Sequence, residues 1–561
     1  MTLARTKSVP QNAQQVSPSD SQSPPLPWYL RTWALGIAGS LLLWAALPPM
    51  ELWPLAWIAP LPWLYLIREE SLPGRRPYLA LWGAGTVFWL LVIHWIRLPH
   101  PALYVGWVAM SAYLGVYLPA FVGLSRVAVH HIGAPLIVVA PVVWTGLEFI
   151  RGHLLGGFLM GALAHTQYRW LQLIQISDLG GAYAVTFLLM LAAACLVQLV
   201  PWRGRHSAAA LATLVMALSG TLLYGSYRLG ALDVSQRPPD ATVALIQGDI
   251  HADWKADEGK VRRIFDQYVR LSQQATRISS PDLIVWPETM YPYPLMDLEQ
   301  DFALPEDSLY TAEQVHEVQR AAVRELGVLA RGLDAALLLG IEARQYTSEG
   351  LERFNSALLV DHTGQITERY DKMHLVMFGE YIPFARYAPW LQRFSPIGSG
   401  LATGGVPRSF EVNGVHFVPN ICYESVLPHL VRRQVTELSR SGHTPDVIVN
   451  LTNDAWFWGS SELDMHLVCS VFRAVECRKP VLIAANTGLS ASIDGDGEIV
   501  KRAERQTTAA LVTEVRLDGR RSWYLQNGDL LAGTCGVACI ALAVVGSWHV
   551  LRQRREAAGR R

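Results

Sequence analysis

The chain has 561 residues, with 47 basic and 47 acidic side chains and a mean hydropathy of +0.20. Its length implies more than one domain. The balanced charge gives no reason to expect a nucleic-acid partner, and charged residues at only 17% argue against a wholly soluble protein.

Residues 1–27 are rich in Ser, Pro and Gln and contain no apolar core segment. They read as a disordered cytoplasmic tail and not as a signal peptide. Residues 28–227 then read as a membrane domain of seven apolar runs, at 32–47, 52–67, 78–96, 102–124, 134–147, 181–200 and 207–223. An eighth span falls at 529–551, with its apolar run at 530–551. Several runs are shorter than the ~20 residues a straight helix needs to cross a bilayer, so their ends are open. Arg68, Arg75 and Arg76 follow the second run, Arg126 the fourth, and Arg203 and Arg205 the sixth. A basic tail, 552–561, follows the eighth. Basic exits mark the cytoplasmic side. Arg97 and Arg151 on the other side weaken this pattern without reversing it. Both termini are therefore expected in the cytoplasm, and residues 228–528 outside it.

That outer segment alternates short β-rich runs (242–247, 282–286, 336–341, 356–361, 414–418, 446–451, 491–500) with helical stretches near 311–333 and 465–477. Such alternation predicts a layered α/β domain. Asp-Gly within SIDGDGEIV predicts a hairpin turn. Of six cysteines, Cys422, Cys469 and Cys477 fall in this segment. Cys469 and Cys477 would stand about 12 Å apart along one helix, too far for a disulfide. No CxxC or His/Cys cluster suggests a metal.

Three stretches carry candidate chemistry. LIVWPETMYP (283–292) runs an apolar strand into Glu288. RYDKMHLVMFGEYIPF (369–384) sets Lys372 among apolar and aromatic residues, with Glu380 eight positions on. VPNICYESVLPH (418–429) ends an apolar run in Cys422, with Tyr423 and Glu424 next. Taken singly, these are a turn glutamate, a solvated lysine and a core cysteine. Together, each places an ionisable group at the end of an apolar run, where α/β enzymes gather their sites. A carboxylate can take a thiol proton, a lysine can stabilise an oxyanion, and a cysteine can hold an acyl group.

WPE, the lysine of DKMHLVMFGEYIPF, ICYE and NLTNDAWFW, in that order, resemble the nitrilase superfamily of carbon–nitrogen hydrolases. With the apolar N-terminal region, EFIRG (148–152) and one C-terminal span, the chain over residues 28–555 resembles the apolipoprotein N-acyltransferase family. The resemblance implies an α-β-β-α sandwich inserted between the helices of an eight-helix membrane bundle. It implies transfer of a fatty acyl chain from a membrane phospholipid to the α-amine of a diacylglyceryl-modified N-terminal cysteine of an apolipoprotein. By motif, Glu288 is the base, Lys372 the oxyanion-stabilising lysine and Cys422 the nucleophile. Glu380, Tyr423 and Glu424 match supporting positions. No metal or organic cofactor is implied. The expected location is a bacterial inner membrane, with the catalytic part on the periplasmic side of a monomer.

Trp456, Phe457, Trp458, Met377, Phe378 and Trp390 are expected at an acyl-chain entrance, against the alternative of ordinary core packing. Three consecutive aromatics cannot all face one core along a strand, so at least one of residues 456–458 should be exposed. Glu148 and Arg151 are expected to shape a membrane-side cavity, against the alternative of an i,i+3 ion pair. Departures from the family pattern are Trp458 before Gly459, Ile483 where an arginine is expected, and a longer acidic stretch at 297–314. Competing readings are a membrane-tethered amidase using the same three residues, and an inactive lipoprotein-binding protein. A transporter is disfavoured by the few charges within the spans and the lack of a repeat.

Overall fold

The computed structural model describes residues 31–230, 237–251, 258–299, 302, 304, 310–348, 350–382, 387 and 400–559. Two sheets lie face to face in the outer segment. The first has lateral order Ala509–Val515, Ala241–Gln247, Leu283–Trp286, Ala336–Thr347, Gly350–Val360, Ile366–Asp371, with Leu295–Leu298 pairing the far end of 336–347. The second runs Ile499–Arg502, Ala491–Ile493, Val481–Ala485, Val447–Thr452, Val415–Ile421, Phe410–Val412. The inner strands of each sheet are parallel and the outer ones antiparallel.

Alternation along the strands explains the layering. Val243, Leu245, Leu283 and Val285 face Phe417, Val447, Val449 and Leu482 of the other sheet. Their neighbours Ala244, Ile246, Ile284 and Trp286 face Phe265, Tyr268 and Leu271 of helix Glu258–Ile278, and Leu326 and Ala330 of helix Ala312–Leu333. The second of these helices starts at a reciprocal capping box of Thr311 and Gln314. Helices Pro428–Arg440 and Glu462–Cys477 cover the far face of the second sheet. Ile483 lies in this apolar layer beside Val418 and Ile448, a place that suits an aliphatic side chain.

The same layer is continuous with the membrane region. An ion-pair network also joins the two parts, through Arg478 and Asp178. Arg478 bonds Asp178 at 2.6 Å and Asp496 at 2.9 Å, and Arg228 bonds Asp178 at 2.8 Å.

All eight apolar runs contain helix, but they differ in length. Leu103–Ile132, Leu136–Gly156, Arg205–Gly230 and Leu530–Ala558 are long and apolar enough to cross a membrane. Leu171–Gly180 and Ala182–Leu196 form a pair bent by 116°. Thr32–Ala46 and Pro77–Val92 are shorter. The expected run 52–67 is broken, because Pro54 starts a 3₁₀ turn, Trp53–Trp57, and Pro60 and Pro62 restart the chain as Leu61–Arg68. The expected run 134–147 continues to His153, so Glu148 and Arg151 lie inside a helix and not beyond its end.

Candidate active site

Strand Val415–Ile421 ends at the nucleophile candidate. The chain turns at once into Cys422–Val426, and Cys422 takes φ +52°. That left-handed conformation costs a non-glycine residue about 1–3 kcal/mol and persists only where the surroundings enforce it. Glu424 supplies part of that enforcement. Its fully buried carboxylate accepts from Ile421 N (2.8 Å), Tyr370 Oη (2.8 Å), Met373 N (2.7 Å) and His374 N (3.0 Å). One side chain thus ties the cysteine turn to the segment after Lys372. Burial pushes the Glu424 carboxyl up, against the opposing pull of these donors.

Glu288 follows strand Leu283–Trp286, which stops at Pro287. The turn lies against Gly340, where a Cβ would come within 2.2 Å of Pro287 O. Only glycine lets the turn pack there. Glu288 Oε1 accepts from Asn355 Nδ2 at 2.6 Å, and Oε2 accepts from Asn453 N at 2.9 Å. Lys372 follows strand Ile366–Asp371 and is 1% exposed. Its Nζ donates to Glu380 Oε1 at 2.8 Å and lies 3.6 Å from Glu288 Oε1. Asn355 also donates to Glu380, at 3.3 Å.

Burial alone would push the Lys372 ammonium down. The carboxylates of Glu380 and Glu288, with the Cys422 sulfur, outweigh it and hold the ammonium above its ordinary value. Lys372 therefore stays a cation. Burial pushes the Cys422 thiol well up, the Glu288 charge adds to that, and Lys372 partly offsets both. The resting group is a thiol, and it needs a base. All six cysteines are free, and Cys422 alone is half-buried while the others are buried.

The structure gathers Glu288, Lys372, Glu380 and Cys422, with Glu424 beneath them. Tyr423 donates its hydroxyl to Gly157 O at 2.8 Å, reaching the membrane part. Trp456 and Trp458 are 45% and 66% exposed, while Phe457 packs edge-on against Trp95. Trp458 takes φ +53° before Gly459. Phe378 is exposed, and the Met377 methyl faces Gly156. Trp390 lies outside the described residues.

Among the described residues, Glu148 and Arg151 make no hydrogen bond or ion pair with Glu288, Lys372 or Cys422. Both line a cavity of about 50 Å³ within the helices, beside Trp63, Trp89 and Trp144. Glu148 accepts from Trp144 Nε1 (3.1 Å), Leu163 N (2.9 Å) and Thr186 Oγ1 (2.8 Å), with Arg151 Nη2 at 3.9 Å.

Sequence reasoning missed Asn355, whose signal was only a polar residue inside an apolar strand. It also missed Asn450, Asp454 and His466. Asp454, Glu462 and His466 bring potential metal-binding atoms within 4.8 Å of one another, the one such group among the described residues. Hydrogen bonds of Asp454 to Thr452, and of His466 to Ser425 and Cys422 O, account for where those two side chains sit.

Residues 39–195 match the family described as apolipoprotein N-acyltransferase N-terminal domain, and residues 242–524 match carbon–nitrogen hydrolase. An apolipoprotein N-acyltransferase of Geobacter metallireducens is 33% identical over 91% of this chain and 95% of its own length. The chain belongs to the apolipoprotein N-acyltransferase family. Its relative of that name from Rhodopirellula baltica is 30% identical over 93% of this chain and 98% of its own. An amidase from Nesterenkonia sp. is similar over 52% of this chain and 94% of its own, at 20% identity and a TM-score of 0.37. Family membership makes the chain an acyltransferase of lipoprotein maturation, on a carbon–nitrogen hydrolase fold, associated with membranes.

Proposed function

We propose that Cys422 carries the acyl group between a phospholipid donor and the N-terminal amine of a diacylglyceryl-modified lipoprotein, with Glu288 moving protons and Lys372 holding the oxyanion. The convergence of these three groups, each acting on the Cys422 thiol or bonded to one that does, carries this reading. Glu288 takes the thiol proton, and the thiolate attacks an ester carbonyl of the phospholipid. The carbonyl oxygen becomes an oxyanion facing Lys372 Nζ. Collapse expels the glycerol alkoxide, which takes the proton back from Glu288 and leaves as lysophospholipid. A thioester remains.

The lipoprotein amine then attacks that thioester. The oxyanion again faces Lys372, and Glu288 takes a proton from the amine. Collapse forms the amide and releases the thiolate, to which Glu288 returns its proton. Glu380 and Asn355 hold Lys372 and Glu288 in register. The exposed Trp456, Trp458 and Phe378, with Met377, form the mouth through which acyl chains enter from the bilayer.

The site faces outward from a bacterial inner membrane, and one chain suffices. Arg68 donates to Val197 O, and Arg126 to Leu66 O and Glu70 O, so these arginines cluster at one end of the helices. The catalytic part docks against other loops, at Gly157 and Asp178. Basic clusters of this kind face the cytoplasm. The test is transfer from phosphatidylethanolamine to a synthetic diacylated lipopeptide. Wild type should form the N-acyl product, while Cys422→Ser and Glu288→Gln should not. Release of free fatty acid in place of that product would mean a hydrolase.

A further inference from the structure

A second group of buried polar side chains adjoins Cys422 and takes no part in the steps above. Thr452, Asp454, His466 and Ser425 are each 3% exposed or less. Thr452 Oγ1 donates to Asp454 Oδ1 at 2.7 Å. Asp454 Oδ1 faces His466 Nδ1 at 3.4 Å. On the other side of the ring, Nε2 lies 3.1 Å from the Cys422 carbonyl oxygen and 2.8 Å from Ser425 Oγ. Ser425 Oγ and Asn450 Nδ2 donate to that same carbonyl, at 3.2 and 3.0 Å.

Asp454 Oδ1 accepts the Thr452 proton, and the His466 ring bridges that carboxylate to the Ser425 hydroxyl and the Cys422 carbonyl. The chain of contacts therefore runs from Thr452 through Asp454 and His466 to the Cys422 carbonyl. The residue so held is also the one in the left-handed conformation, at φ +52°.

We propose that Thr452, Asp454 and His466 are positioning residues that hold the Cys422 carbonyl and so fix the left-handed backbone from which its sulfur meets the ester carbonyl. The proposal rests on Cys422 as the nucleophile. Thr452 fixes Asp454, Asp454 fixes the His466 ring, and the ring with Ser425 and Asn450 holds the carbonyl, so the turn keeps its shape as the charge on sulfur changes.

The test is a time course of acyl-adduct formation on the full chain, read by intact mass, over a range of phosphatidylethanolamine concentrations. Thr452→Val and His466→Leu should lower the maximal rate about 10–100-fold, the scale of a misplaced reacting atom, with the half-saturating lipid concentration unchanged. Thr452→Ser keeps the hydroxyl and His466→Gln keeps a donor, so each should recover most of the rate. Wild-type maximal rates in Thr452→Val and His466→Leu would overturn the proposal. So would Ser and Gln variants as slow as their apolar counterparts, or a loss confined to the half-saturating concentration. Thr452→Val is nearly isosteric and decides the matter if His466→Leu fails to fold. No adduct in wild type would remove the nucleophile itself, and both readings would fall together.

Discussion

Tyr423, one residue after Cys422, donates its hydroxyl to the main-chain carbonyl of Gly157 at 2.8 Å, 266 positions away in sequence. This bond couples the Cys422 turn directly to the loop that ends helix Leu136–His153. Tyr423→Phe removes the bond and leaves the ring in place. A bond of this kind contributes about 1 kcal/mol net. The variant should unfold at a slightly lower temperature in detergent and lose acyl transfer by less than Cys422→Ser does. Differential scanning fluorimetry and the lipopeptide assay measure both.

Glu288 and Lys372 act on the Cys422 thiol with opposite signs. Glu288 raises its pKa and Lys372 lowers it. Glu288→Gln should therefore increase the thiolate fraction at a given pH, and Lys372→Met should decrease it. Alkylation by iodoacetamide should run faster than wild type in the first variant and slower in the second. In wild type the rate should still be climbing above pH 9, because burial has moved the thiol well above the ordinary value of about 8.5. Both variants should nonetheless fail in acyl transfer, one for want of a base and the other for want of an oxyanion partner.

Glu424 accepts from both sides of the site, from Ile421 N and from Met373 N and His374 N. Glu424→Gln puts a donor group against some of these donors. The Lys372 segment should shift away from the cysteine turn. Misplacement on that scale costs about 100-fold in kcat. Steady-state kinetics should show that loss with little change in KM for the lipopeptide.

Arg478 is fully buried between Asp178 of the membrane part and Asp496 of the outer part. Arg478→Met leaves two buried carboxylates short of a partner, although Arg228 and Arg520 still reach them. Breaking a buried pair from one side costs about 3–5 kcal/mol, and the remaining arginines should keep the loss near the lower end. A clear fall in the thermal midpoint should appear with the acyl-transfer chemistry intact in the protein that stays folded.

Much of this was legible in the sequence because strand-end chemistry is local. Apolar strands stopped by Pro287, Cys422 and Lys372 put their ionisable groups at the sheet edge whatever the rest of the chain does. The layered α/β class was legible from strands alternating with helical stretches, while the two-sheet sandwich came only with the family resemblance, because 243–246 is apolar throughout although Val243 and Leu245 face one way and Ala244 and Ile246 the other. Asn355 was not legible, because its partners Glu288 and Glu380 come from different strands and loops. His466 hid for the same reason, on a helix whose apolar face made it look like core. The membrane boundaries were read too simply at residues 52–67, where prolines break the helix, and at 147, where it continues. Charge alone could not place Glu148 and Arg151 inside the helix, since only the surrounding Trp144, Trp89 and Thr186 make burial there affordable.

The most direct test of the account is intact-mass measurement of the purified chain after incubation with phosphatidylethanolamine alone. The account predicts one acyl chain added to wild type, released by hydroxylamine, absent from Cys422→Ala, and cleared on addition of a diacylated lipopeptide. Transfer to the lipopeptide at full rate by Cys422→Ala, or with no acyl adduct ever forming on wild type, would contradict it.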